Sequence, residues 1–232
     1  PPSDNGFKAY WNNGGQVLDP HDVGIIRCVE NADEIPLVDL QEAIGKGSIV
    51  IVGEEIDREY IHAVIDCSLS SARDIKAVFT PLHGVGTTSV ARVLERAGFS
   101  QLSVFPLQNT PDGNFTHVPD QLPNPEREAV FNPAVEYALQ QGAEMVLASD
   151  PDADRIAIKV KGKDGQFHFV TGNRIGALLV DYILNKRKDE LTSEHYVVET
   201  LETTPLIQRI GEAAGVSVVS DLLVGFKYIG QV

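Results

Sequence analysis

IKAVFTPLHGVGTTSVARVLERAGFSQLSVFP, residues 75–106, decides how this chain folds. IKAVFT is a β-rich run whose branched and aromatic side chains suit a pleated, half-buried surface. PLHGVG then breaks the run with a proline and two glycines. TTSVARVLERAG predicts a helix that stops at Gly98, and LSVFP (102–106) predicts a second strand. Strand, helix and strand in that order make a βαβ unit, whose strands lie parallel.

The same alternation continues downstream. LQNTPDGNFTHVPDQLPNPER (107–127) is a connection rich in Pro, Asn and Asp, too long to be idle inside a compact domain. EAVFNPAVEYALQQG (128–142) is helical in part, with Pro133 marking a first turn, and EMVLAS (144–149) predicts a third strand. IAIKVKGKDGQFHFV (156–170) alternates about KDG, as a β-hairpin does. A second α/β unit follows: GNRIGALLVDYILNKRK and TTPLIQRIGEAAG as helices, HYVVET and VSVVSDLL as strands. It stops without completing its sheet.

Upstream the pattern is mixed. PPSDNG (1–6) is turn chemistry, LVDLQEAIGKG (37–47) has helical spacing, and SIVIVG (48–53) reads as a short strand. DREYIHAVIDCSL (57–69) places Tyr60, Ile61, Val64 and Ile65 on one helical face. The expected class is α/β: tandem βαβ-type domains with mixed, largely parallel sheets flanked by helices.

Bulk properties narrow the function. The chain has 232 residues, 43% hydrophobic and 22% charged, and a formal net charge of −14. No domain-wide basic face is available, which argues against nucleic acid as a partner. The longest apolar stretch, IGALLVDYIL, is interrupted by Asp181, so no membrane span is expected. Cys28 and Cys67 form no CxxC pair, as in a reduced, cytoplasmic protein, and no signal peptide is visible. The opening without Met and the close in mid-pattern suggest a piece of a longer protein. Oligomeric state is silent in the sequence.

The third strand runs into SDPDADR (149–155), with Asp150, Asp152 and Asp154 at alternate positions. A solvated acidic turn is the ordinary reading of such a cluster. Here the acids follow an apolar strand and so lie at its C-terminal end, where open α/β sheets bind ligands. Pro151 stiffens the turn. Three carboxylates suit a hard cation such as Mg²⁺, Mn²⁺ or Ca²⁺, and no Cys or His nearby offers what zinc prefers. An EF-hand loop also opens D-x-D-x-D. It needs Gly at its sixth position and Glu at its twelfth, where this chain has Arg155 and Lys161. A haloacid-dehalogenase-like phosphatase is a stronger rival, with Asp150 as nucleophile and Asp152 as acid/base. That family usually has Thr or Val where Asp154 stands. Arg155 can offset the acidic charge and reach a phosphoryl group through two hydrogen bonds. A hard cation beside an arginine describes a phosphoryl-transfer centre.

DPDADR resembles the metal-binding loop of the α-D-phosphohexomutase superfamily. TPLHGVG (80–86), PNPE (123–126), TGNRIGALL (171–179) and GFKYIG (225–230) fall in the order found in its phosphoglucomutase/phosphomannomutase branch. PPSDNGFKAYW is similar to the segment just after the family's T-A-S-H-N-P loop. The resemblance spans essentially the whole chain.

That resemblance implies a four-domain enzyme with a central cleft. A phosphoserine donates its phosphoryl group to a sugar monophosphate, and the resulting bisphosphate returns its other phosphate to the serine. Asp150, Asp152 and Asp154 would hold one Mg²⁺, and Arg155 would contact the phosphoryl group. Lys8 would move a proton or stabilise charge near the phosphoserine. Lys227 would line the sugar cleft, and His83 would border it or cap a loop. A glucose 1,6-bisphosphate-type activator is implied. The serine loop, the sugar-reading G-E-x-S-G-H loop and the fourth domain are not in this sequence. The expected divisions are 1–55 as the tail of domain I, 56–168 as domain II and 169–232 as the opening half of domain III. The substrate is expected to be glucose 1-phosphate, with mannose phosphate as a possible second, and the chain alone is expected to be inactive; besides the phosphatase, the alternative is a non-catalytic metal- or sugar-phosphate-binding module.

Overall fold

A computed structural model describes residues 2, 3 and 8–232; most of the turn expected at 1–6 lies outside them. The regular elements in chain order are α1 (His21–Glu30), α2 (Leu40–Gly45), α3 (Glu54–Asp66), β1 (Ala77–Thr80), α4 (Val90–Arg96), β2 (Leu102–Val104), α5 (Asn132–Gln141), β3 (Met145–Ser149), β4 (Ile156–Lys161), β5 (Phe167–Val170), α6 (Gly172–Lys186), β6 (Tyr196–Thr200), α7 (Leu206–Ala213), β7 (Ser217–Leu222) and α8 (Phe226–Ile229).

The first sheet has the order β2-β1-β3-β4-β5. β1 pairs parallel with both β2 and β3, while β4 and β5 add on antiparallel. β1 sits between two neighbours, and every residue of its AVFT is buried. Such a strand reads as a continuous apolar run rather than an alternating one. On one face Val78, Leu82, Phe105, Phe131 and Val146 pack with Ala134 and Ala138 of α5. Those two alanines lie four residues apart, on one helical face, and let α5 approach the sheet closely. Pro133 starts α5 and Gly142 ends it at φ 67°, a left-handed conformation that glycine adopts without strain. β6 and β7 form a separate parallel pair backed by α7.

This topology places the site. β1 and β3 run parallel in register, Thr80 opposite Ala148, so the loops that leave their C-terminal ends lie side by side. β3 and β4 pair as far as Ser149 opposite Ile156, so Asp150–Arg155 is the whole connection between them.

Some expectations are corrected. SIVIVG forms no strand: Val50, Ile51 and Val52 are 76, 70 and 65% exposed. A strand needs a neighbour to complete its ladder, and no described segment pairs with this one. The helix expected over 37–47 is shorter, because the Asp39 side chain accepts from the Glu42 backbone N–H at 2.9 Å and caps it. Of the apolar face predicted on α3, Ile61 is buried whereas Tyr60 is 56% exposed. Among the described residues, no helix is long and apolar enough to cross a membrane.

Candidate functional site

Asp150 is the keystone of the loop after β3. It is 1% exposed. Its Oδ1 accepts from the backbone N–H groups of Asp154 and Arg155, at 3.1 and 3.0 Å. Its Oδ2 accepts from Arg155 Nε at 2.8 Å. The turn also needs Ala153 at φ 58°. Asp150 thus folds the loop that carries it. Its buried carboxylate, already accepting three hydrogen bonds, is poorly placed to act as the nucleophile of the phosphatase reading. Burial pushes its pKa up, against the pull of Arg155.

Asp152 and Asp154 point outward and are exposed. Lys8 donates to both, at 3.1 Å to Asp152 and 2.6 Å to Asp154. Its hydrogen bonds to Asp154 and then Asp152 raise its pKa. Burial pushes Asp152 up, but hydrogen bonding to Lys8 and Asp150 outweighs it and the pKa falls. Two stretches more than 140 residues apart therefore meet as one charge cluster.

Two neighbouring loops support the cluster. A Cβ added to Gly84 would sit 2.2 Å from Pro151 Cα, a distance no side chain tolerates. Next to it the Val85 N–H donates to Pro151 O at 2.9 Å. A Cβ at Gly86 would meet Ser149 Oγ at 2.6 Å. The glycines of TPLHGVG let the first loop press against the second. From the long connection, Asn124 of PNPE accepts from Arg155 Nη1 at 3.2 Å. Asn124 was not foreseen as a site residue; its place in PNPE was the available signal.

Three anchors pin the long connection. Gln108, fully buried, accepts from Thr80 Oγ1 at 2.5 Å and donates to His117 O at 2.6 Å. The His83 ring lies 2.7 Å from Thr110 O, where only a donor fits, and its other nitrogen accepts from the His117 N–H at 3.3 Å. Here His83, 6% exposed, ties two loops together. Asp112 accepts from the Thr116 hydroxyl and from the backbone of Asn114 and Thr116, which hold its pKa at about 2.

Lys8, Asp150, Asp152, Asp154 and Arg155 come together, whereas Lys227 does not join them. It lies on α8 with its Nζ 5.2 Å from the Tyr228 ring centre. It lines a cavity of about 600 Å³ shared with Trp11, Gln16, Asp19 and His21.

The carboxylates fit a divalent ion. One oxygen from each aspartate lies within 4.8 Å of the others. Opposite ligands on Mg²⁺ are about 4.2 Å apart, from bonds of about 2.1 Å. A small inward swing of the two exposed side chains would close the set around one ion, with positions left for water or phosphate.

Comparison with known proteins agrees with this geometry. Residues 58–164 match "Phosphoglucomutase/phosphomannomutase, alpha/beta/alpha domain II", and residues 171–232 match domain III of the same family. A probable phosphomannomutase of Haemophilus influenzae is 32% identical over 235 residues, covering 100% of this chain and 47% of the relative. A probable phosphoribomutase of Schizosaccharomyces pombe is also 32% identical, over 100% of this chain and 40% of its own. This chain thus spans less than half the length of these relatives. In fold, a phosphoglucomutase/phosphomannomutase family protein of Burkholderia thailandensis superposes with a TM-score of 0.59 at 19% identity, over 76% of this chain and 35% of that one. With both domain matches in sequence order, and the acidic loop and its two supporting loops inside the first, the chain belongs to the phosphoglucomutase/phosphomannomutase family.

Proposed function

We propose that this chain supplies the metal loop and part of the sugar cleft of a phosphosugar mutase. The longer protein would move a phosphoryl group between the 1- and 6-positions of glucose or mannose phosphate, through a phosphoserine and a bisphosphate. The observation that carries this reading is the meeting of Lys8 with Asp150, Asp152, Asp154 and Arg155 in one cluster.

Asp150, Asp152 and Asp154 would hold one Mg²⁺, which supplies charge neutralisation at a transferring phosphoryl group. Arg155 stands between Asp150 and Asn124, with a guanidinium planar enough to meet two phosphoryl oxygens. Lys8, half-exposed, is positioned to stabilise charge or pass a proton at a sugar hydroxyl. Lys227 would bind substrate from the other side of the cleft. His83 would serve the site by bracing the loops. The divisions drawn near 55 and 168 are our reading of the domain layout. Two free, exposed thiols suit a cytoplasmic enzyme.

The test uses the longer protein that carries this chain. With Mg²⁺ and a hexose bisphosphate activator, it should convert glucose 1-phosphate or mannose 1-phosphate to the 6-phosphate. No isomerisation of either sugar, with pentose phosphates run alongside, would overturn the reading. The 232-residue chain alone should neither isomerise sugars nor hydrolyse p-nitrophenyl phosphate, since the family's serine motif is not among its residues.

A further inference from the structure

Lys8 does something the mutase reading does not require: its ammonium fills the mouth of the acidic triplet. It lies 2.6 Å from an Asp154 oxygen and 3.1 Å from an Asp152 oxygen, and an ion bonded to those same oxygens would overlap it. Asp150 is different, because its partner is Arg155 at 2.8 Å and comes from the same loop.

We propose that Lys8 and the divalent ion are alternative occupants of the Asp152–Asp154 mouth, so that metal loading expels Lys8 and frees it to face substrate. This deepens the mutase reading and rests on its metal site. Charge favours the exchange. Three carboxylates with Lys8 and Arg155 leave the cluster one negative charge, and replacing Lys8 by a dication leaves it neutral. Retaining both cations would leave it positive, with an ammonium pressed against the ion. Lys8 also ties the segment that begins there to the loop between β3 and β4 across 144 residues of sequence. Its release would uncouple that segment from the loop. Without metal, the ammonium limits repulsion between two outward carboxylates and keeps the mouth assembled.

The test is Mn²⁺ titration of the 232-residue chain, by electron paramagnetic resonance, for wild type, Lys8→Met and Lys8→Gln. Both variants should bind Mn²⁺ about tenfold more tightly, since they remove a competitor that contributes on the order of 1.4 kcal/mol. Lys8 is exposed, and circular dichroism should show that both variants keep the fold. A second readout needs no variant: the Lys8 side-chain amine resonance should shift on Mg²⁺ addition toward that of a free lysine. Equal or weaker Mn²⁺ binding in both variants, or an unmoved Lys8 resonance at saturating Mg²⁺, would overturn the exchange while leaving the metal site intact. No Mn²⁺ binding in any of the three proteins would instead remove the metal site, and the exchange with it. Binding in the variants alone would support the exchange most strongly.

Discussion

Asp150 and Asp152 belong to one triplet and differ in kind. Asp150 folds the loop, through two backbone donors and Arg155, besides offering an oxygen to the triplet, whereas Asp152 faces solvent and Lys8. Asp152→Asn in the longer protein should therefore keep the fold and lose most mutase activity, at least about a hundredfold, as one anionic ligand goes. Steady-state kinetics at several Mg²⁺ concentrations would check this, and partial rescue by excess metal should accompany the loss. Glu199 is a separate case. It is 6% exposed, with no hydrogen-bond partner for Oε2 among the described residues. Burial and the nearby Asp221 raise its pKa. A carboxyl with a raised folded pKa contributes stability below its unfolded pKa and loses it as pH rises through the folded value. Glu199→Gln should thus raise the melting temperature by a few degrees at neutral pH. The gain should shrink as pH falls through the raised folded value and be gone below about 4.5, the ordinary Glu value, and thermal melts across pH would show it.

Among the elements, the loop after β1 is the mould for the loop after β3. Gly84 is required by the Pro151 backbone, so Gly84→Ala must push the two loops apart. The expected cost is about 1–3 kcal/mol, typical of overpacking, with a loss of Mn²⁺ affinity as the aspartates move. Far-ultraviolet circular dichroism should be unchanged, because β1, α5 and β3 do not depend on that contact. If affinity held while stability fell, the loop would owe its shape to Asp150 alone. The long connection earns its length in the same region. Its anchors, Gln108 and His117, lie between β2 and PNPE, so the segment delivers Asn124 to Arg155.

For the whole molecule, the cluster joins the segment at Lys8 to the five-stranded sheet. A ligand that binds only the folded state stabilises it by mass action, about 1.4 kcal/mol at tenfold the dissociation constant. Mg²⁺ should therefore raise the melting temperature of the 232-residue chain in a concentration-dependent way, and a chelator should reverse it. Asp152→Asn should flatten that response. A melting temperature indifferent to Mg²⁺ up to tens of millimolar would contradict metal binding by this chain.

Sequence reading alone was enough for the α/β alternation, the hairpin after the acidic loop and the clustering of three aspartates within it. Each depends on local chemistry: apolar runs of strand or helix period, turn residues, and three carboxylates in a row of six. It could not decide that SIVIVG stays unpaired, because pairing requires a neighbour and no local pattern reports one. Nor could it show which aspartate is buried. Alternation alone does not tell the three aspartates apart; the fold buries Asp150, whose carboxylate also holds the loop, and leaves Asp152 and Asp154 outward. Lys8 in the mouth of the triplet, Asn124 on Arg155 and the fit of Gly84 to Pro151 were settled by tertiary structure alone. The parallel pairing of β1 with β3 brings loops far apart in sequence to one end of the sheet, and contacts between distant segments leave no periodic trace in either.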